Sequence, residues 1–175
     1  MVIAIAAQCS LEEGSGMGAT GYVRHLRESV GHDPLLVASV AACLRDEVGR
    51  ILLLRRADGV NLWGFPGGAI ELGEGAVQSV MREVREETGL EVEPVALIGV
   101  YSSPEHAFAY PNGDQVQPVT VFFDCRVLGG EFRPDLDEIL DARYFDPEDE
   151  LPPMRPCCAA KAHDAFLFGG RPFLR

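Results

Sequence analysis

The sequence predicts an α/β domain in which a mixed β-sheet packs between helices. Four apolar runs of strand length, Leu35 to Leu44, Arg50 to Leu54, Val92 to Tyr101 and Val116 to Val127, are separated by turn residues. A helix-period stretch, Glu74 to Thr88, interrupts these runs in mid-chain, and a second, about Arg155 to Phe168, follows them. Strands broken by one central and one terminal helix belong to layered α/β architectures, because each sheet face needs an apolar cover.

The elements follow in order. Residues 1–16 include the small-residue tract LEEGSGMG and are expected to form a disordered extension; Met17 is an alternative start. Residues 17–34 form a lead-in whose GYVRHLRESVG reads as a short amphipathic helix, with Tyr22, Leu26 and Val30 spaced by four and Gly31 as its stop. The domain proper spans residues 35–175. Leu35 to Leu44 and Arg50 to Leu54, joined through Asp46 to Gly49, carry a hairpin signature. Trp63 to Ile70 is expected to carry a short strand into the central helix, which Gly89 caps. Between the next two strands lies a long loop, SSPEHAFAYPNGD, ending in a Pro-Asn-Gly-Asp turn. Asp141 to Phe145 is a further short strand. An acidic connection, Asp146 to Pro153, leads to the terminal helix.

Composition narrows the function. A chain of 175 residues suits one domain with a real core, and a 47% hydrophobic content fits a globular protein. No apolar run reaches the roughly 18 residues that a membrane span needs, so no membrane partner is expected. The apolar opening MVIAIAAQ lacks a basic flank, so a signal peptide is not expected either. A net charge of −12 argues against duplex nucleic acid, whose phosphates are held by Lys and Arg clusters. The five cysteines are odd in number and form no C-x2-C pair, which fits a reducing, cytoplasmic setting. Cys43 and Cys125 read as buried thiols; the adjacent Cys157 and Cys158 could be redox-active.

The chemistry concentrates between Gly68 and Leu90, in GAIELGEGAVQSVMREVREETGL. Val77, Val80, Val84 and Thr88, with Met81 beside them, supply an apolar helix face. Glu83, Glu86 and Glu87 fall within roughly a 100° arc flanking it. Like charges so close destabilise a helix unless a cation neutralises them, and carboxylate oxygens suit Mg²⁺ or Mn²⁺. Taken alone, an REVREE string also describes an ordinary surface helix laced by Arg82–Glu86 pairing.

The segment resembles the Nudix box, G-x5-E-x7-R-E-U-x-E-E-x-G-U with U aliphatic. Gly68, Glu74, Arg82, Glu83, Val84, Glu86, Glu87, Gly89 and Leu90 fill its fixed positions in register. The resemblance implies a Nudix-type α/β/α sandwich and hydrolysis of a diphosphate linkage in a nucleoside diphosphate joined to another moiety. It implies Glu83, Glu86 and Glu87 as metal ligands for Mg²⁺ or Mn²⁺, with the carbonyl of Gly68 or Gly67 as a further ligand. Arg82 would hold a glutamate in place, and Glu74 would lie at or just behind the metal. Members also use a distal carboxylate; among Asp135, Asp137, Glu138 and Asp141, Glu138 matches its position best.

Arg55 and Arg56 could reach substrate phosphates. Trp63 and Phe65 could stack on a base or pack against the central helix. His106, alone among the histidines in the long loop, reads as an exposed side chain. Pro104 and Tyr110 lie near spacings found in ADP-ribose and dinucleoside-polyphosphate hydrolases, which leaves the partner a small nucleoside diphosphate derivative of unassigned identity. Two other classes share the carboxylates: a catalytically silent Nudix domain that binds a nucleotide or protein, and a calcium-stabilised structural domain. The Leu35 to Leu54 hairpin or the N-terminal helix could support a homodimer.

Overall fold

The computed structural model describes residues 21–175, apart from the side chain of Pro156. The expected N-terminal extension, residues 1–16, lies outside the described residues. The elements run α1 (Gly21–Val30), β1 (Leu35–Leu44), β2 (Ile51–Arg56), β3 (Trp63–Gly64), α2 (Ala76–Thr88) and β4 (Leu90–Tyr101). After a 3₁₀ turn (Pro104–His106) come β5 (Phe108–Ala109), β6 (Gln115–Gly130), β7 (Ile139–Phe145), α3 (Pro156–Leu167) and β8 (Phe173–Leu174).

The strands form two sheets. In the larger, mixed sheet the order is β1-β6-β4-β8, with β5 pairing β6. The long β6 runs parallel to β1 and antiparallel to β4, and β8 runs parallel to β4. The smaller sheet is antiparallel, in the order β3-β2-β7. With α2 and α3 covering opposite sides, the result is an α/β/α sandwich.

The hairpin expected from Leu35 to Leu54 does not form. A single bridge, Arg45 to Ile51, links the two runs, and β1 and β2 then diverge into different sheets. The cause lies in their composition. Both are apolar at consecutive positions, the pattern of strands buried on two faces rather than one. Val40, Ala42, Leu44, Leu52 and Leu54 enter a core shared with Val80 and Val84 of α2. Ala41, Cys43, Ile51 and Leu53 enter a second core with Ala162 and Ala165 of α3.

The segment after β3 runs along the edge of β1. Val40 N–H donates to Gly68 O at 2.9 Å, Ala42 N–H to Pro66 O at 2.8 Å, and Ile70 N–H to Ala38 O at 3.0 Å. This edge of β1 is thus used within the chain. It also fixes Gly67 and Gly68 directly beneath α2. The α2 helix begins two residues later than expected, with Gly75 at its N-cap, and ends at Gly89 in the left-handed conformation, as its sequence predicts.

Candidate active site

The buried face of α2 is rotated from the one its valines suggest. Val77 is 50% exposed and Met81 is exposed too, whereas Ser79, Val80, Glu83, Val84, Glu87 and Thr88 are buried. Glycine explains the turn. A Cβ built on Gly68 would lie 2.6 Å from the Glu83 carboxyl atoms, so the missing side chain is the space into which Glu83 fits. One turn on, Gly67 N–H donates to Glu87 Oε2 at 2.8 Å. The helix therefore presses two carboxylates, not Val77, onto the strand-edge segment.

Gly67 itself has φ of +142°, and a Cβ there would meet Val40 O at 2.2 Å. Only glycine lets this backbone approach β1 so closely.

Arg82 binds the acidic residues together. Its Nε and Nη2 donate to the two oxygens of Glu74 at 2.7 and 2.9 Å, and its Nη1 donates to Glu83 at 2.8 Å and Glu86 at 3.0 Å. The fork also reaches Ala69 O at 3.3 Å, which ties the helix to the glycine segment. Hydrogen bonding from Arg82 pulls the Glu74 carboxyl down to about 2. Burial raises Glu83, against the opposing pull of Arg82.

Glu87 is 1% exposed, and burial pushes its carboxyl up to about 7 although Arg56 pulls the other way. Arg56 Nη2 lies 2.5 Å from Glu87 Oε1 and also donates to Gly67 O. The Arg56 contact is ionic only: Glu87 Oε1 has no hydrogen-bond donor among the described residues. A buried carboxylate oxygen without a donor, beside a second buried carboxylate and a backbone carbonyl, is a donor set that fits a hard divalent cation.

The remaining predicted residues divide. Glu86 lies exposed at the rim beside Arg82. Glu138, exposed on the loop before β7, is close enough for its charge to be felt at Glu87. That loop is held to the end of α2 by Asp135 N–H donating to Glu87 O at 3.2 Å and Arg133 N–H to Thr88 O at 2.8 Å. Asp141 instead pairs with Arg143 at 2.7 Å. Gly68 O accepts from Val40 N–H, while Gly67 O accepts from Arg56, which also pairs with Glu87. Arg55 lies across from Asp141 in the β2–β7 pair.

Trp63 is 8% exposed, edge-on to Phe145 at 5.3 Å, with Arg143 over its ring at 5.7 Å. Trp63 and Phe65 belong to the core under α3, not to the face of α2, because consecutive core positions of β1 and β2 fill both sides of the sheets. His106 is also displaced from expectation: it is 7% exposed, packed 6.0 Å from the ring of Tyr101.

Sequence reasoning missed Arg155. It pairs with Asp58 at 2.5 Å and stacks over Phe108 at 4.1 Å and Tyr110 at 5.0 Å. One guanidinium thereby joins the β2–β3 loop, the long loop and the start of α3. No local pattern marks it, since its partners lie in distant segments.

The sequence matches the NUDIX domain family over residues 35–165. The chain belongs to the Nudix family. It is therefore a Nudix hydrolase, acting on phosphorus-containing acid anhydrides. A MutT-like protein of Streptomyces ambofaciens is 35% identical over 142 residues, covering 81% of this chain and 84% of the relative. An ADP-ribose pyrophosphatase of Methanocaldococcus jannaschii is 36% identical over 99 residues, covering 55% of this chain and 54% of that relative. The crystal structure of an ADP-ribose pyrophosphatase from Streptococcus suis superposes with a TM-score of 0.62 at 27% identity, covering 79% of this Nudix hydrolase and 97% of that chain. Among the described residues of the Nudix hydrolase, no helix is long and apolar enough to cross a membrane.

Proposed function

We propose that this Nudix hydrolase is a metal-dependent pyrophosphohydrolase that splits the diphosphate of a nucleoside diphosphate linked to a second moiety, with ADP-ribose the first substrate to test. The observation that carries the reading is the buried Glu87 oxygen without a hydrogen-bond donor, set beside Glu83 and the Gly67 carbonyl. Glu83, Glu86, Glu87 and the carbonyl of Gly67, in place of Gly68, would hold Mg²⁺ or Mn²⁺. Such an ion supplies Lewis acidity toward phosphoryl oxygens and lowers the pKa of bound water.

The chain's own residues do the rest. Arg82 fixes Glu83 and Glu86 in place through its fork. Glu138 takes the proton of the attacking water as the new P–O bond forms and the bridging P–O bond breaks, leaving two phosphate esters. Arg56, held beside Glu87 and Gly67, is placed to pair with substrate phosphates. The free thiols of Cys43, Cys125, Cys157 and Cys158 favour a reducing, cytoplasmic setting.

The test is release of phosphate esters from ADP-ribose, nucleoside triphosphates, dinucleoside polyphosphates and nucleotide sugars with Mg²⁺ or Mn²⁺, beside Glu87→Gln. Turnover of one class, lost in the variant while its fold is kept, supports the reading. Full turnover by Glu87→Gln overturns the role of Glu87, and silence on every substrate overturns the activity.

A further inference from the structure

Three consecutive residues running out of β2 each fasten a different part of the molecule. Arg56 pairs with Glu87 and donates to Gly67 O. Ala57 N–H donates to Glu138 O at 2.7 Å, which ties this strand end to the loop before β7. Asp58 pairs with Arg155 at 2.5 Å. The carboxylate that holds Arg155 thus stands two residues along the chain from the guanidinium that holds Glu87.

Arg155 is itself set by rigid neighbours. Trp63 N–H donates to Pro153 O at 3.0 Å and Met154 bridges Trp63, so the backbone entering α3 is laid along β3. Arg155 O then accepts from Cys158 and Ala159 N–H at 2.9 and 3.0 Å, which starts the helix. The side chains of Arg155 and Asp58 are only 16% and 15% exposed, so water screens this pair less than a surface one.

The same guanidinium lies over Phe108 at 4.1 Å and Tyr110 at 5.0 Å, rings that meet each other edge-on at 5.1 Å. A planar cation stacked on two rings fixes them in a way that a lysine ammonium cannot. A second contact closes the same gap. A Cβ on Gly59 would meet Pro111 Cγ at 3.2 Å, so the loop after β2 already touches the tip of the long loop. Both rings are half-buried, and Tyr110 is near enough to Arg56 for its charge to be felt there.

We infer that Arg155 is a positioning residue of the hydrolytic site: it locks the long loop, with Phe108 and Tyr110, against the strand end that presents Arg56, and so builds the wall on which the part of the substrate beyond the diphosphate rests. The role in turnover rests on the activity proposed above; the lock does not. Removing Arg155 leaves the Arg82 fork on Glu83 and the Gly67 N–H on Glu87 in place, so substrate affinity should suffer more than the chemical step.

The experiment follows amide hydrogen exchange by mass spectrometry in the full chain and in Arg155→Met and Arg155→Lys. Residues 57–62 and 107–113 should exchange at least about tenfold faster in Arg155→Met, while β1 and β4 keep their protection. Arg155→Lys, which retains the pair with Asp58 but not the stack, should loosen 107–113 alone. Unchanged exchange in both segments of Arg155→Met would overturn the lock whatever the substrate proves to be. Should Arg155→Met not fold, Asp58→Asn removes the ion pair but keeps the oxygen that accepts from Val60 and Asn61 N–H. It should loosen 57–62, and protection kept there would likewise overturn the lock.

On the substrate turned over with Mg²⁺, Arg155→Met should raise KM about tenfold with kcat within about twofold, and Arg155→Lys should recover part of the loss. A mere loss of folded protein lowers apparent kcat and leaves KM alone. Equal KM in variant and wild type despite a loosened loop would overturn the role in substrate binding, as would a fall in kcat alone. Silence of the wild type on every substrate overturns the activity and this role with it, and the exchange result alone then decides the lock.

Discussion

Arg56 Nη2 stands 2.5 Å from Glu87 Oε1, joining a half-buried guanidinium to a carboxylate that is 1% exposed. The two come from β2 and from the last turn of α2, so one pair fastens the smaller sheet to the box helix. Arg56 also donates to Gly67 O. The site thus carries its own counter-charge on the carboxylate proposed to hold a metal, so cation and guanidinium are expected to compete for it.

That competition is measurable. Arg56→Met strands Glu87 and should cost the metal-free protein about 3 kcal/mol, the usual penalty for removing one partner of a buried pair. Adding Mg²⁺ or Mn²⁺ should then raise the melting temperature more in the variant than in the wild type. Equal metal-induced shifts in both proteins would show that Arg56 and the cation do not share Glu87.

Arg82 acts through geometry rather than charge alone. Arg82→Lys keeps the cation but loses the fork that spans Glu74, Glu83 and Glu86. Turnover should fall between about tenfold and a hundredfold, with a drop in metal affinity on titration. Unchanged metal affinity would leave the fork without a positioning role.

Gly67→Ala tests the close approach of the glycine segment to β1. Its φ of +142° and the 2.2 Å gap to Val40 O leave no room for a methyl group. A loss of at least about 3 kcal/mol is expected in denaturant melts. Gly129→Ala, where a Cβ meets nothing within 4 Å, is the control and should cost less than about 1 kcal/mol.

Asp164 anchors the C-terminal end. It is 1% exposed and accepts from Tyr101 Oη at 2.9 Å and from Arg175 at 2.7 and 3.0 Å. Burial alone would raise its carboxyl, but donation from Arg175, Tyr101 and His163 takes it below the ordinary value. A carboxyl lowered on folding stabilises the protein above its unfolded value, and that stability is lost as pH falls through the folded one. Asp164→Asn should therefore cost about 2 kcal/mol near neutrality. The gap to wild type should begin to narrow only below about pH 4 and shrink further as the solution becomes more acidic, and a gap that stays constant throughout an acid series would reject the charged role.

The sequence by itself determined the class of the fold, the box and the identity of its carboxylates. Helical period, glycine spacing and the Gly89 cap are local signals, and local signals survive in a linear chain. Tertiary structure decided what those residues face. The apolar runs of β1 and β2 read as a hairpin because period and turn residues do not say which sheet a doubly buried strand joins. Val77 reads as core, yet the empty space at Gly68 draws Glu83 inward and turns Val77 to solvent. His106 reads as an exposed loop residue and is buried, Trp63 packs in the core under α3 rather than on the central helix, and Arg155 is invisible until folding brings Asp58, Phe108 and Tyr110 around it. Which surface of an element is buried depends on the shape of its neighbour, and that shape exists only in the folded chain.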